Sequence, residues 1–384
     1  MTSADVFVIG GGPAGLAAAI AVRQRGFDVL VADGAVPPID KACGEGVMPD
    51  GIAGARLLGL DLAPAGHAFR GIEFVSGADL QVCDLPGGRH SAGRDLEVPR
   101  RSGGLPHIAA DFPNGYGLGV RRTALHRIML ERAESLGVRF AWGTRVASLE
   151  GIRARWIVGA DGSQSSVRRW AGLEAHARYS RRYGFRRHFR LEPWSEYMQI
   201  HWGSGCQMYV TPVGPEEVCA VLISRHPHLR LEDALPQFPE LFVRLRTADA
   251  ATPERGGVTA SRRLKAVYRG NVALVGDASG SVDAITGEGL CLLFQHAVAL
   301  ADALDAGDLE GYAVAHWRIG RRPALMADLM LMLDGRARLR ARTLRAMAAR
   351  PALFAGMLAM HVGELSTVNF LGNGLALGWQ MLNS

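Results

Sequence analysis

The sequence predicts an α/β protein in which a parallel-sheet domain is interrupted by an inserted antiparallel sheet and followed by a helical C-terminal region. Three observations predict it. An apolar run of strand length at the N-terminus enters a glycine turn and then a small-residue helix. A second buried strand, Asn271 to Val275, enters another glycine-rich turn before a long helix. Between them, 184–224 alternates in side-chain character and is punctuated by Gly-containing turns.

The first of these units carries the most information. Val6, Phe7, Val8 and Ile9 form the strand, and Gly10-Gly11-Gly12-Pro13-Ala14-Gly15 then satisfies G-x-G-x-x-G ahead of a helix from Leu16 to Arg25, which Gly26 stops. Gly10 allows the tight turn, Gly12 lets a pyrophosphate approach the backbone, and Gly15 lets helix and strand pack closely. The helix N-terminus, opened by Pro13 and Ala14, faces the negative charge. Val29 to Val31 form the second strand, and Asp33 at its end is placed to accept both hydroxyls of an adenosine ribose. This is a Rossmann-type dinucleotide turn.

The segment 35–50 is too rich in Gly and Pro for a regular element and reads as a loop along the ligand. It brings Lys41 towards the cofactor, unless it is a plain connection; Cys43 reads as a small hydrophobe rather than a reactive thiol. From 70 to 119 the signals are turn-rich, with Gly87-Gly88 and Gly103-Gly104, and suggest short strands leaving the first domain. Apolar spacing predicts a helix over 122–136, capped by Gly137, then strands over 138–142 and 156–160. The latter ends in the sharp turn Ala160-Asp161-Gly162. Strands are expected at 197–202, 206–213 and 218–223, and a helix at 231–245. Gly276-Asp277 and Thr286-Gly287-Glu288-Gly289 then precede a helix over 290–304, and the rest is helical and rich in Met and Leu.

A chain of 384 residues usually forms two closely associated domains. Its net charge of +6 is carried almost wholly by arginine, since only Lys41 and Lys265 are lysines. No aromatic-plus-basic module for nucleic acid is present. The five cysteines, Cys43, Cys83, Cys206, Cys219 and Cys291, show no C-x-x-C spacing, which argues against a disulfide framework or a metal site. Neither a signal peptide nor an apolar run of membrane-spanning length is evident, so a cytoplasmic location is expected.

Asp277 can bond a sugar-alcohol hydroxyl while amides at 286–289 face a negative charge, a pairing that suits a flavin with its ribityl chain. Taken together, Gly10 to Gly15, Ala160-Asp161-Gly162 and Gly276-Asp277 resemble the class A flavoprotein monooxygenase superfamily (para-hydroxybenzoate hydroxylase-like) in order and spacing, over about residues 1 to 305. Lys41-Ala42-Cys43-Gly44-Glu45-Gly46 and Thr286 to Gly289 are most similar to its geranylgeranyl-reductase-like branch. The resemblance implies one FAD in a glutathione-reductase-like domain. Asp33 would hold the adenosine ribose, Gly12 and Gly15 the pyrophosphate, and Asp277 the ribityl chain. Arg122 would lie near the ribityl and phosphate region, and Asp161 would be a second dinucleotide contact unless it is purely structural. The sequence departs from the family in a short segment between Trp142 and Trp156, and in Ala284 where many relatives have proline.

The expected domains are a discontinuous FAD-binding domain (1–70, 105–175 and 265–320), a β-sheet substrate domain (71–104 and 176–264) and a helical region (321–384). The resemblance favours a monooxygenase working through a flavin hydroperoxide on a lipophilic small molecule. An ene-reductase saturating C=C bonds is the alternative, and a non-redox flavin- or lipid-binding protein ranks third. Halogenation is disfavoured: there is no Trp-x-Trp-x-Ile-Pro motif and no lysine between Lys41 and Lys265. Catalytic residues are not assigned; His188 and His201 are weak candidates, each better read as an ordinary hydrogen-bonded residue. The Met- and Leu-rich C-terminal region suits either a core or a lipophilic ligand. Its arginines at 336–345 suit a solvated face or anionic lipid. No second dinucleotide turn of the right context exists, so reducing equivalents are expected from transient NAD(P)H, bound over Lys41 and Asp161, or from a partner reductase.

Overall fold

The computed structural model describes residues 4–76 and 107–364. Cys83, the glycine pairs at 87–88 and 103–104, and Gly372-Asn373-Gly374 lie outside the described residues.

The chain begins with β1 (Ala4–Ile9), α1 (Pro13–Gln24) and β2 (Val29–Asp33). After a loop come β3 (Gly46–Val47), α2 (Pro49–Leu57), β4 (Gly66–Phe69) and β5 (Gly71–Ser76). Next are β6 (Ile108–Asp111), β7 (Gly117–Val120), α3 (Arg122–Ser135), β8 (Arg139–Trp142), β9 (Ala154–Gly159) and α4 (Ser166–Trp170). The inserted domain contains β10 (His176–Arg190), β11 (Tyr197–Trp202), β12 (Cys206–Gly214) and β13 (Glu217–Ser224). It continues through α5 (Leu231–Ala234), α6 (Pro239–Leu245), β14 (Asp249–Ala250) and β15 (Arg255–Leu264). The chain returns through β16 (Tyr268–Arg269), β17 (Val272–Leu274) and β18 (Gly280–Ser281) to α7 (Gly289–Ala306), α8 (Leu309–Asp334), α9 (Ala337–Ala349) and α10 (Pro351–His361).

The first sheet has the order β16-β17-β9-β1-β2-β8, and β1 pairs in parallel with both β2 and β9. Its central strands are buried on both faces, as parallel strands must be. One face packs on α1, α3 and α7, with Leu16, Ile20, Leu125 and Phe294 fully buried. The helix α7 is apolar and long enough to cross a membrane by length and composition, where the sequence reading expected no such run; more than half of it is buried in this core.

The second sheet runs β18-β15-β10-β13-β12-β11-β5-β6. It is mixed rather than wholly antiparallel, because β5 pairs in parallel with β11. Residues 108–111, expected in the first domain, join this sheet through β5, and Gly280–Ser281 joins it through β15. One face is covered by 231–245, where Pro236 and Pro239 break the expected single helix into α5, a 3-10 turn and α6. The other face meets the first domain at one end and α8 to α10 at the other.

Phe294 sits where α1, α2 and α7 meet, fully excluded from water. Phe294→Ala is expected to cost about 3–5 kcal/mol of stability, read as a lower urea midpoint with an unchanged slope.

Candidate cofactor site

The glycine turn after β1 is built by close approach. A Cβ on Gly10 would lie 2.4 Å from the Ala160 carbonyl oxygen, and one on Gly15 would lie 1.8 Å from the Gly10 carbonyl oxygen. A Cβ on Gly12 would meet nothing within 4 Å. The two outer glycines are therefore required by the fold, while the middle one leaves its backbone open to a ligand at the head of α1. Asp33 holds the turn from the end of β2: its Oδ2 accepts from the Gly11 amide at 2.6 Å and its Oδ1 from the Ala35 amide at 2.7 Å. His126 on α3 donates from Nε2 to the Gly11 carbonyl at 2.9 Å, and burial pushes its pKa down, so the ring is neutral. The sequence reading missed His126, although it shares the buried face of α3 with Leu125 and Met129.

From this turn a cleft of about 560 Å³ runs between the two domains. Gly12, Pro13, Ala14, Asp33, Lys41, Arg122, Asp161, Gly276, Asp277, Gly287 and Gly289 all line it, and the sheet contributes Met198, Tyr209 and Thr211. Cysteine 43 lines it too. Lys41 Nζ pairs with Asp277 Oδ2 at 2.9 Å, joining the 35–45 loop to the turn after β17. The donor set fits FAD. Positions 12, 44, 162 and 289 present bare backbone with nothing within 4 Å of a built Cβ, and Arg122 Nε finds no hydrogen-bond partner among the described residues.

The carboxylates of two expected contacts are engaged within the protein. The Asp161 carboxylate accepts from the amides of Ser166 at 2.6 Å and Val167 at 3.1 Å and from the Ser165 hydroxyl, so it holds the N-terminus of α4 while the residue also lines the cleft. The Glu288 side chain turns away from the cleft into the protein, 2% exposed. There it meets Arg322 at 3.8 Å and His361 Nδ1 at 3.9 Å, and its Oε2 has no hydrogen-bond partner among the described residues.

The sheet grips both cofactor loops through one face of β10. Strand alternation puts Arg182, Gly184, Arg186 and His188 on the cleft side, and Phe185 and Phe189 under the α5–α6 layer. Arg186, 1% exposed, bonds Glu45 Oε1 at 2.8 Å and Asp40 at 2.9 Å, and Arg255 reaches Asp40 at 2.9 Å. Burial pushes the Asp40 carboxyl up, but the bonds and charge of the two arginines outweigh it and hold the group below the usual range. His188 Nε2 donates to Glu45 Oε2 at 2.6 Å. The opposite end of the row serves the other loop: Arg182 bonds Asp283 at 3.1 Å and reaches Asp334 through Gln207. Asp283 in turn accepts from the Ile285 amide at 3.1 Å, and Tyr209 donates to the Ile285 carbonyl at 2.8 Å. Glu45, His188 and Cys219 each offer a ligand atom within 4.8 Å of the others, but Arg186 places a positive charge on that carboxylate where a cation would sit.

His201 is not at the cleft. Alternation along β11 sends it to the opposite face from Met198 and Ile200, where it packs edge-on to Phe238. Burial lowers its pKa to about 3. Behind the flavin-facing loop, burial likewise lowers His361 to about 4 and raises Glu288 to about 8, Arg322 opposing in the second case.

A family model described as an FAD binding domain matches residues 3–151. The chain is 30% identical to a menaquinone reductase of Mycobacterium tuberculosis, over 85% of this chain and 80% of that one. It is 27% identical to a digeranylgeranylglycerophospholipid reductase of Thermoplasma volcanium, over 76% of this chain and 75% of that one. A flavoprotein/dehydrogenase from Cytophaga hutchinsonii shares the fold at a TM-score of 0.77 and 17% identity, covering 99% of this chain and 100% of that one. The chain therefore belongs to the class A flavoprotein monooxygenase superfamily and is an FAD-dependent oxidoreductase.

Two outcomes follow from this geometry. Gly12→Val is expected to leave the melting temperature of the apoprotein unchanged and to abolish retention of FAD, whereas Gly15→Val lowers the melting temperature itself. Glu288 sets an alkaline limit. A carboxyl raised in the folded chain contributes stability that is complete below its unfolded pKa of about 4.3 and is lost as pH rises through the folded value. Thermal melts of the wild type should therefore fall between about pH 4.3 and about pH 8 and level off above it, and those of Glu288→Gln should fall less over that range.

Proposed function

We propose that this oxidoreductase saturates isolated C=C bonds in the polyprenyl chain of a quinone or related lipid. The observation that carries the reading is a second, small apolar cavity of about 50 Å³, lying across the 284–286 turn from the cofactor cleft. Ile72, Phe74, Ile200 and Trp202 of the sheet and Met326, Met330, Leu333, Met347, Phe354 and Leu358 of α8 to α10 line it, and it reaches Thr286 and His361. Arg340 and Thr343 also line it, and its almost wholly apolar surface offers dispersion contacts to the end of a hydrocarbon chain. The names of the relatives above, a menaquinone reductase and a digeranylgeranylglycerophospholipid reductase, support the same class of substrate.

FAD, when bound, supplies the electron pair for the reaction. The chain supplies placement and dryness. Gly12 and the head of α1 take the pyrophosphate, Asp33 the adenosine ribose, and Lys41 with Asp277 the segment between. Arg182 and Asp283 fix the turn that separates cofactor from lipid. Burial favours neutral forms of His361 and Glu288 behind that turn, with Arg322 as the charged group beside them. Transient NAD(P)H or a partner reductase recharges the cofactor. Lipid substrates place the protein at a membrane surface: α8 exposes Val314, Trp317 and Leu325 beside Arg318 and Arg321, a face suited to anionic headgroups.

Oxygen insertion into a lipophilic ring, the reading favoured by the sequence resemblance, ranks second, because the cofactor site serves either chemistry. Mass spectrometry of a prenylated naphthoquinone incubated anaerobically with reduced holoprotein separates the two. A gain of two hydrogens per bond is the expected result. Product only in air, carrying one oxygen atom from labelled O2, would overturn the reading. Met330→Trp, which fills the cavity, should slow turnover about tenfold or more at unchanged FAD content.

A further inference from the structure

We infer that Thr252, His188 and Glu45 form a proton entry line from the protein surface to the cofactor cleft. The three groups make one continuous hydrogen-bonded chain. Thr252 follows β14 and is half-buried, its hydroxyl 2.9 Å from His188 Nδ1. That hydroxyl already accepts from the His188 backbone amide at 3.2 Å, so its own hydrogen is free to point at the ring. His188 is wholly buried and donates from Nε2 to Glu45 Oε2 at 2.6 Å. Glu45 is 1% exposed to bulk solvent and belongs to the wall of the cleft.

The acceptor end is held rigidly. Glu45 adopts a φ of +61°, a left-handed conformation unusual for a side chain of its size. The Arg122 amide at 3.0 Å and Arg186 at 2.8 Å both bond Oε1, leaving Oε2 to the histidine. Arg186 and Asp40 already pin the loop to the sheet. A second buried polar tie adds little as a fastener, yet it supplies what a fastener does not need: an imidazole bonded on both nitrogens, one towards solvent and one towards the cleft.

Such a ring passes a proton by changing tautomer. A proton from water reaches Nδ1 through the Thr252 hydroxyl, the Nε2 proton moves to Glu45, and Glu45 releases it into the cleft. Saturating a double bond consumes two electrons and two protons, and reduction of the flavin itself takes up at least one proton, so the cleft needs such a supply in either half of the cycle. His188 thus has a role that the sequence reading left unassigned, one step removed from the reacting atoms.

The inference rests on the flavin chemistry of the proposed function but not on the lipid, and its test needs no lipid. Anaerobic holoprotein in weak buffer is reduced by a flash from a deazaflavin photodonor. Flavin bleaching reports electron arrival and phenol red reports proton uptake. In Thr252→Val and His188→Gln, uptake should lag bleaching about tenfold or more behind the wild type, and in Thr252→Val FAD affinity should stay within about twofold. Uptake that keeps pace with bleaching in Thr252→Val overturns the inference. The valine matches threonine in shape and stands outside the cleft, so this arm survives if His188→Gln fails to fold. Loss of prenyl saturation with the lag intact would count against the lipid reading alone.

Discussion

Everything at the cofactor site hangs on one row of side chains along one face of β10. Arg186 grips the loop that carries Lys41, Cys43 and Glu45, and Arg182 grips the turn that carries Asp283. Both guanidiniums are almost wholly buried. Breaking such a pair on one side typically costs about 3–5 kcal/mol, because the partner charge is stranded in a dry site. The row therefore sets the relative position of the two loops, and with it the shape of the cleft. Gly184 between the two arginines leaves the strand low enough for the cleft to pass over it.

Charge is arranged differently on the two sides of the 284–286 turn. On the cleft side, paired ions dominate: Lys41 with Asp277, Arg186 with Asp40 and Glu45. On the far side, burial drives ionisable groups to neutrality. His361 falls to about 4 and Glu288 rises to about 8, next to a cavity walled by Met, Leu, Ile and Phe. A single turn stabilised by Asp283 and Tyr209 divides these opposite environments.

The same FAD fold serves several chemistries, so the cofactor site cannot choose among them. What distinguishes this chain is the apolar helical cap of α8 to α10 over the sheet, and the buried polar line that joins its surface to Glu45. Neither feature touches the dinucleotide turn that identifies the superfamily.

By itself the sequence determined the parts that depend on neighbours along the chain. The glycine turn, Asp33 at the end of its strand, the helix over 122–135 and the Gly276-Asp277 turn are written in local spacing, because turn geometry and helical periodicity act over a few residues. Only the tertiary structure decided which way alternating side chains face. His188 and His201 looked equivalent, yet strand pairing sends one to Glu45 and the other to Phe238. The Glu288 side chain is buried behind the turn whose amides the spacing pointed at a ligand, and Asp161 spends its carboxylate on the N-terminus of a helix. Lys41 meets Asp277 across 236 positions of sequence. A one-residue change of register inverts the facing of every side chain in a strand, and register is set by pairing between segments far apart in the chain.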